Sequence, residues 1–132
     1  MVTFNKNFEY DLEFGEIREQ RVADILLNQK IEVKTERGQW VKSGNLAIEY
    51  EYRGKPSGIA TTQAPYWFHI LEIGGEEFCT LMLKTDTLKK LIKTVKNTRT
   101  VMGGDEKQSK LVLLPIREIF NSAAKGIEGI LK

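Results

Sequence analysis

The sequence predicts an α/β or α+β fold, in which helices pack on a central mixed β-sheet. Apolar residues recur at helical spacing in residues 12–27 and again after Asp86. Between and beyond these stretches, apolar residues either alternate with polar ones or run continuously, which is typical of half-buried and buried strands. We therefore expect the order helix, two strands, short helical piece, two strands, helix, strand, helix.

The composition is typical of one soluble globular domain covering residues 1–132. Hydrophobic residues make up 41% of the 132 residues and charged residues 29%, with a formal net charge of +2. This length allows one hydrophobic core, and the small net charge leaves nucleic-acid binding open. No apolar stretch approaches the about 20 residues of a membrane helix, and no apolar leader follows Met1. We therefore expect an intracellular, cytoplasmic protein without a membrane partner.

One broad apolar face and an acidic N-terminal half predict the first helix. The face comprises Phe14, Ile17, Val22, Ile25 and Leu26. Glutamates crowd the first turns, where the helix dipole stabilises carboxylates. The polar pair Asn28-Gln29 marks the end of this helix.

Two alternating stretches then predict strands at 30–35 and 46–52. Because successive side chains of a strand alternate, Glu32 and Lys34 share one side of the first strand. Glu49 and Glu51 share one side of the second strand in the same way. Turn-forming residues separate the stretches, so we expect the two strands to pair as an antiparallel hairpin with a long connection.

The remaining elements follow from the same patterns. Glycines and prolines set their ends, and Thr85 or Asp86 is expected to cap the middle helix. We expect a short helix or ordered loop at 57–63 and strands at 66–73 and 76–84. A helix at 88–95, a loop at 102–105, a strand at 110–115 and a last helix at 116–124 follow.

The charged residues of the predicted hairpin have two interpretations. Cross-strand pairs of lysine and glutamate are common on solvated sheet faces and need no function. On the other hand, Glu32, Glu49 and Glu51 would converge beside a single lysine, and such carboxylates repel one another unless a cation is present. Mg²⁺ typically takes one or two carboxylates together with water and phosphate oxygens. The pattern therefore favours a metal site that hydrolyses phosphodiesters.

Three segments resemble one nuclease family. Residues 31–35 (Ile-Glu-Val-Lys-Thr), 43–49 and 53–59 resemble small phage-encoded members of the PD-(D/E)xK nuclease superfamily, which includes Holliday-junction resolvases. The helix-then-strands order is similar to the restriction-endonuclease-like αβββαβ core of that superfamily. The resemblance implies a Mg²⁺- or Mn²⁺-dependent endonuclease that cuts DNA, with branched or junction DNA as a candidate substrate. It also makes a phage-encoded protein in a bacterial host a candidate origin, and a homodimer with two sites a candidate assembly.

The resemblance also implies roles for individual residues. Glu32 would be the first metal ligand, and Glu49 with Glu51 would be the acidic pair of the next strand. Lys34 would then be a lysine displaced from its usual strand. The alternative treats Glu32-Val33-Lys34 as the second motif, but no strand bearing an aspartate precedes it. Glu19, which follows Gly15 on the first helix, resembles the helix carboxylate of resolvases; Glu16 is the second choice, and either is also explained by the helix dipole.

Polar residues on the flanking loops are candidates for binding nucleic acid. We expect phosphate contacts from Lys42, Asn45, Arg53, Lys55 and Ser57. Turn chemistry explains Gly54, Pro56 and Gly58 without any function. Four lysines also recur on the helix after Asp86, where a solvated face is the expected interpretation and phosphate contacts are the alternative; they are Lys89, Lys90, Lys93 and Lys96.

Other residues with reactive or aromatic side chains have structural explanations. His69 is expected in the core or at its edge, because hydrolysis by metal-bound water needs no histidine. Cys79 is the single cysteine and cannot form an internal disulfide; because it lies in the apolar run 78–83, it is expected to be a buried thiol. Trp40 could stack on a base or fill the core. No phosphate-binding loop, dinucleotide fingerprint, zinc spacing or nucleophile elbow occurs.

Three functions remain from the sequence. The first is the metal-dependent DNA endonuclease. The second is a catalytically inactive module that binds nucleic acid or protein with the same fold. The third is an interaction protein whose charged hairpin is only solvated surface.

Overall fold

A computed structural model describes the backbone of residues 6–124 and the side chains of residues 11–123. Within this part of the chain the fold is mixed α+β, as predicted. The helices are α1 (Lys6–Asn28), α2 (Trp40–Ser43), α3 (Thr85–Thr94) and α4 (Ile116–Ala124). The strands are β1 (Ile31–Glu36), β2 (Asn45–Tyr52), β3 (Lys55–Pro56), β4 (Tyr66–Ile73), β5 (Glu76–Lys84), β6 (Arg99–Gly103) and β7 (Ser109–Pro115). Short 3-10 turns cover Gly58–Ala60 and Asp105–Lys107.

The chain divides into two compact units, one that carries α1 and one that begins at Ile31. The predicted first helix is confirmed, and it begins earlier than its apolar pattern does. Its last turn is closed by the Asn28 side-chain amide, which donates a hydrogen bond of 2.7 Å to Asp24. The single nuclease-like domain stays a prediction. No helix of the described residues is both long and apolar enough to cross a membrane.

The strands of the second unit form two sheets, and this corrects the expectation of one central sheet. The three-stranded sheet has the order β1-β4-β5, and the four-stranded sheet has the order β3-β2-β7-β6. The predicted hairpin of β1 and β2 is also wrong. Strand β1 pairs in parallel with β4, whereas β2 pairs antiparallel with β3 and β7. The αβββαβ core that the resemblance implies stays a prediction.

The pairing with β4 places the polar side of β1 beside buried residues. Glu32 lies in register with Trp67 and Lys34 with His69, and both β4 residues are buried. Registered residues of neighbouring strands share a face of the sheet. The charged row of β1 therefore lies beside the buried row of β4, while Val33 on the other face is 50% exposed.

Strand β2 contributes one face to the core and the other to the candidate site. Leu46 and Ile48 are fully buried, whereas Ala47 and Glu49, which alternate with them, are half-buried. The strand ends in a tight hairpin with β3, whose turn residues Arg53 and Gly54 both have positive φ. Positive φ at both central residues is the signature of a type I′ turn, whose twist matches that of the flanking strands.

One hydrophobic core lies between the sheets and two helices. Helix α3 contributes Leu88 and Leu91, and α4 contributes Ile119. The strands contribute Leu46, Ile48, Trp67, Leu71 and Leu114. Strand β7 and helix α4 were predicted correctly, because their apolar periodicity is unambiguous.

A buried hydrogen-bond chain joins the two sheets. The Trp67 indole N–H donates to His69 Nδ1 at 3.0 Å, and His69 Nε2 lies 2.9 Å from Glu36 Oε1. The same carboxylate oxygen accepts the backbone N–H of Ala47 on β2. Because an indole nitrogen only donates, Nδ1 must accept, and the ring proton lies on Nε2. His69 is 1% exposed, so its predicted core position is confirmed.

Three local expectations were wrong. Residues 40–43 form a short helix in the predicted loop, and residues 99–103 form β6, which includes part of another predicted loop. The predicted capping of α3 by Thr85 or Asp86 is replaced by a different contact. Lys84 holds the N-cap position, and the Thr85 hydroxyl donates to the carbonyl of Ala64. Such short-range alternatives carry almost no periodic signal.

We expect His69→Phe to lower the free energy of unfolding by about 2–4 kcal/mol, because the Trp67 N–H and the Glu36 carboxylate each lose a buried partner. His69→Gln is the matched control, since an amide both accepts and donates. It should cost less than half as much. Urea unfolding measures both free energies. Equal losses of stability in the two variants would show that His69 contributes packing and not hydrogen bonds.

Candidate functional site

Glu32 and Lys34 form the first part of the candidate site. They lie two residues apart on β1, and Lys34 Nζ is 3.9 Å from Glu32 Oε2. Their side chains are 33% and 42% exposed, respectively. An ion pair this long and this exposed contributes little to stability. Both groups are therefore accessible and only loosely committed to each other.

Glu49 is held more tightly, by two further contacts. The Ser109 hydroxyl of β7 donates a hydrogen bond of 2.6 Å to Glu49 Oε1, and Ser109 is 5% exposed. Gly58 also lies so close that a Cβ there would overlap the Glu49 carbonyl oxygen. Gly58 also has a φ of 53°, a left-handed conformation that favours glycine. Glycine at this position therefore lets the 3-10 turn pack on the Glu49 backbone.

Glu51 has a different environment from Glu49. A bulge between the two shifts the pairing of β2 with β7, so that Glu49 lies opposite Leu111 and Glu51 opposite Lys110. Glu51 Oε2 lies 3.0 Å from Lys110 Nζ. The hydrogen bond to this carboxylate, and its charge, raise the pKa of Lys110. The two members of the expected acidic pair thus have different partners, Ser109 for Glu49 and Lys110 for Glu51.

The candidate ligands Glu32 and Glu49 lie on strands of different sheets. These strands are joined where Glu36 of β1 accepts the N–H of Ala47 on β2. Lys34 lies two residues before that contact, and Glu49 lies two residues after it. Within the described residues, no group of three or more acidic, histidine or cysteine side chains could hold a metal. Two carboxylates with water and phosphate oxygens would suit Mg²⁺.

The predicted phosphate-binding residues lie in two regions, at the β2–β3 hairpin and around α2. Arg53 and Lys55 lie at the β2–β3 hairpin, where Arg53 Nε donates to the Gln108 side chain and its guanidinium lies over the Tyr52 ring. Lys42 is exposed on α2, and Asn45 begins β2. These positions leave most of the charge accessible to a ligand.

The Ser57 hydroxyl is buried without a hydrogen-bond partner among the described residues. The backbone N–H of Ser57 donates to the Tyr50 carbonyl at 3.0 Å, which fixes this residue beside β2. Buried hydroxyls almost always have a partner. The segment that packs on Glu49 therefore carries one buried hydroxyl, that of Ser57, whose hydrogen-bonding capacity is unused.

Other candidates are placed as follows. Trp40 packs against the core and donates from its indole N–H to the Glu72 carbonyl at 2.7 Å, so of its two interpretations the core one holds. Cys79 is free, but it is half-buried, so the predicted buried position is wrong. Glu19 lies on α1, in the first unit, and its role stays a prediction.

Sequence reasoning missed Glu36 and Ser109. Glu36 continues the same-face series of Glu32 and Lys34 with a period of two, so the alternation alone could have included it. No sequence signal indicates Ser109, because its role depends on the register between β2 and β7.

Comparisons with protein-family models, with curated proteins and with solved structures find no match to this chain.

We expect Gly58→Ala to lower the free energy of unfolding by about 2–4 kcal/mol, because the added methyl group meets the Glu49 backbone at a positive φ. Gly38→Ala is the matched control, since a Cβ there has no neighbour within 4 Å. The control should change stability by less than about 0.5 kcal/mol. Thermal or urea unfolding tests both, and an unaffected Gly58→Ala variant would contradict the close packing.

We expect Glu51→Gln to lower the pKa of Lys110 toward its ordinary value, because the hydrogen bond and the charge that raise it are both weakened. The ammonium form would then be lost at a lower pH than in the wild type. Titration of the lysine side chain by NMR measures the shift. Glu32→Gln, which removes a carboxylate from the other sheet, should leave Lys110 unchanged.

Proposed function

We propose that this protein is a metal-dependent endonuclease that hydrolyses DNA phosphodiesters. The observation that carries the proposal is the junction of β1 and β2. The charged row of β1 lies in register with the buried row of β4, and its last member, Glu36, accepts a hydrogen bond from the backbone of β2 two residues before Glu49. This arrangement supports a shared centre formed by Glu32, Lys34 and Glu49.

The chemistry follows from the donor set. Mg²⁺ or Mn²⁺ held by Glu32 and Glu49 would supply an activated water and neutralise charge on the scissile phosphate. Lys34, whose ion pair with Glu32 is long, would be free to orient the water or to stabilise charge in the transition state. Ser109 would orient the Glu49 carboxylate through its hydrogen bond.

The surroundings support a polyanionic substrate. Arg53 and Lys55 flank the hairpin at the end of β2, and both are exposed. Phosphate contacts of this kind hold and orient nucleic acid without reading its sequence. Branched or junction DNA is the substrate form that we propose to test first, and two sites in a homodimer would allow cleavage of both strands.

A second candidate is a module on this fold that binds nucleic acid without cutting it. It is favoured by the partners of the carboxylates, because Glu32, Glu49 and Glu51 contact Lys34, Ser109 and Lys110, respectively. In this case the lysines and serine would satisfy the carboxylates permanently. Basic loops would still bind phosphates.

We expect the wild type to cut plasmid or four-way-junction DNA with Mg²⁺ or Mn²⁺, and to lose activity in EDTA. Glu49→Gln and Lys34→Gln should each reduce the rate by about 100-fold or more, the scale for groups that act on transition-state charge. Glu77→Gln, an exposed carboxylate on β5, is the control and should cut normally.

Two outcomes would overturn the nuclease. Equal cleavage by all variants would place the activity elsewhere or in a contaminant. DNA binding without cleavage under any metal would favour the second candidate, and gel-shift measurements on the same preparations identify it.

A further inference from the structure

A small apolar groove lies beside the 3-10 turn that packs on Glu49. It is lined by Ile59 and Ala60 of that turn and by Lys89, Ile92 and Lys93 of α3. The lysines are four residues apart, so they lie on the same face of the helix, about one turn from each other. The groove thus has an apolar lining, which includes the aliphatic stems of the two lysines.

The size of the groove favours part of a long ligand. Its volume is about 220 Å³, below the about 300–1,000 Å³ of pockets that enclose whole small molecules. It is open to solvent, and its lining is almost entirely apolar, with the lysines included. A self-contained cofactor would lack the orienting polar groups that such sites supply. A segment of a polymer does not need them.

The lysines are available to an anion. Among the described residues, neither Lys89 nor Lys93 has an ion pair, in contrast to Lys34 and Lys110. Lysine stems cover apolar surface while their ammonium groups remain in water. The ammonium groups of Lys89 and Lys93 can therefore meet phosphates at the rim of the groove.

The turn connects this groove to the candidate site. Gly58, its first residue, packs on the Glu49 backbone, and Ile59 is buried in the core and also lines the groove. One short turn, Gly58–Ala60, thus contacts the Glu49 backbone with its first residue and lines the groove with its other two.

We propose that this groove is a second binding subsite for a nucleic-acid strand. Sugar and base atoms contact the floor formed by Ile59, Ala60 and Ile92, and two backbone phosphates contact Lys89 and Lys93. The proposal rests on the proposed function for its ligand class, because it names a remote contact of the same strand. It does not depend on cleavage.

The test measures binding of a fluorescent 20-nucleotide single strand in Ca²⁺ or EDTA, over a series of salt concentrations. Loss of two phosphate contacts should reduce the slope of log K against log salt by about 1.4, at about 0.7 per contact for single strands. We expect this reduction for Lys89→Gln/Lys93→Gln, with weaker binding at every salt concentration. Lys84→Gln/Lys107→Gln, two exposed lysines outside the groove, should keep the wild-type slope.

A second pair of variants tests the floor. Ala60 is exposed, so Ala60→Glu and Ala60→Lys should both fold, which circular dichroism checks. Ala60→Glu should weaken binding by repelling phosphates, whereas Ala60→Lys should preserve or strengthen it. Equal effects of the two would contradict the electrostatic contact.

Each outcome separates the two proposals. Binding that depends on Lys89 and Lys93 without any cleavage supports the subsite and overturns the nuclease. Cleavage and binding that are unchanged in Lys89→Gln/Lys93→Gln overturn the subsite and leave the nuclease intact. A wild type that binds no DNA overturns the subsite, as does lysine-dependent binding of poly-glutamate in place of DNA.

Discussion

The arrangement of the second unit depends on one carboxylate, that of Glu36. Its Oε1 accepts hydrogen bonds from His69 of the three-stranded sheet and from the Ala47 backbone of the four-stranded sheet. Trp67 fixes the tautomer of His69 from behind. Since an orphaned buried donor costs about 1–3 kcal/mol, these groups hold one another in place. The relative position of β1 and β2, and hence of Lys34 and Glu49, depends on this contact.

The partners of the carboxylates differ in how readily a cation could replace them. Glu32 has only a 3.9 Å contact to Lys34, and Glu49 has a neutral hydroxyl, which can remain bound while another carboxylate oxygen coordinates. Glu51 has a 3.0 Å charged hydrogen bond to Lys110, the strongest of the three kinds. Glu32 and Glu49 are therefore better suited than Glu51 to binding a divalent ion, within the nuclease proposal.

Periodicity predicted which faces the strands present but not which strands are neighbours. It located β2, β4, β5, β7 and α4 because each alternates or repeats clearly. It could not predict that β1 pairs with β4. That pairing brings the Glu36 carboxylate to the buried His69 ring, and no periodic pattern in the sequence indicates such a contact. The same limit applies to the site. Glu32, Lys34 and Glu49 could be nominated from parity, whereas Ser109 depends on a register that only the folded sheet defines.

The 3-10 turn relates the groove to the candidate site. Gly58 has no space for a side chain against Glu49, and Ile59 is anchored in the core. The Thr62 backbone N–H also donates to the Gly58 carbonyl at 3.0 Å, which closes the turn behind them. A segment held on both sides loses little further conformational freedom when a ligand binds, so less binding energy is spent on ordering it. The turn is therefore held rigidly between the Glu49 backbone and the groove beside α3, and the proposed subsite would keep a fixed position relative to the candidate ligand Glu49.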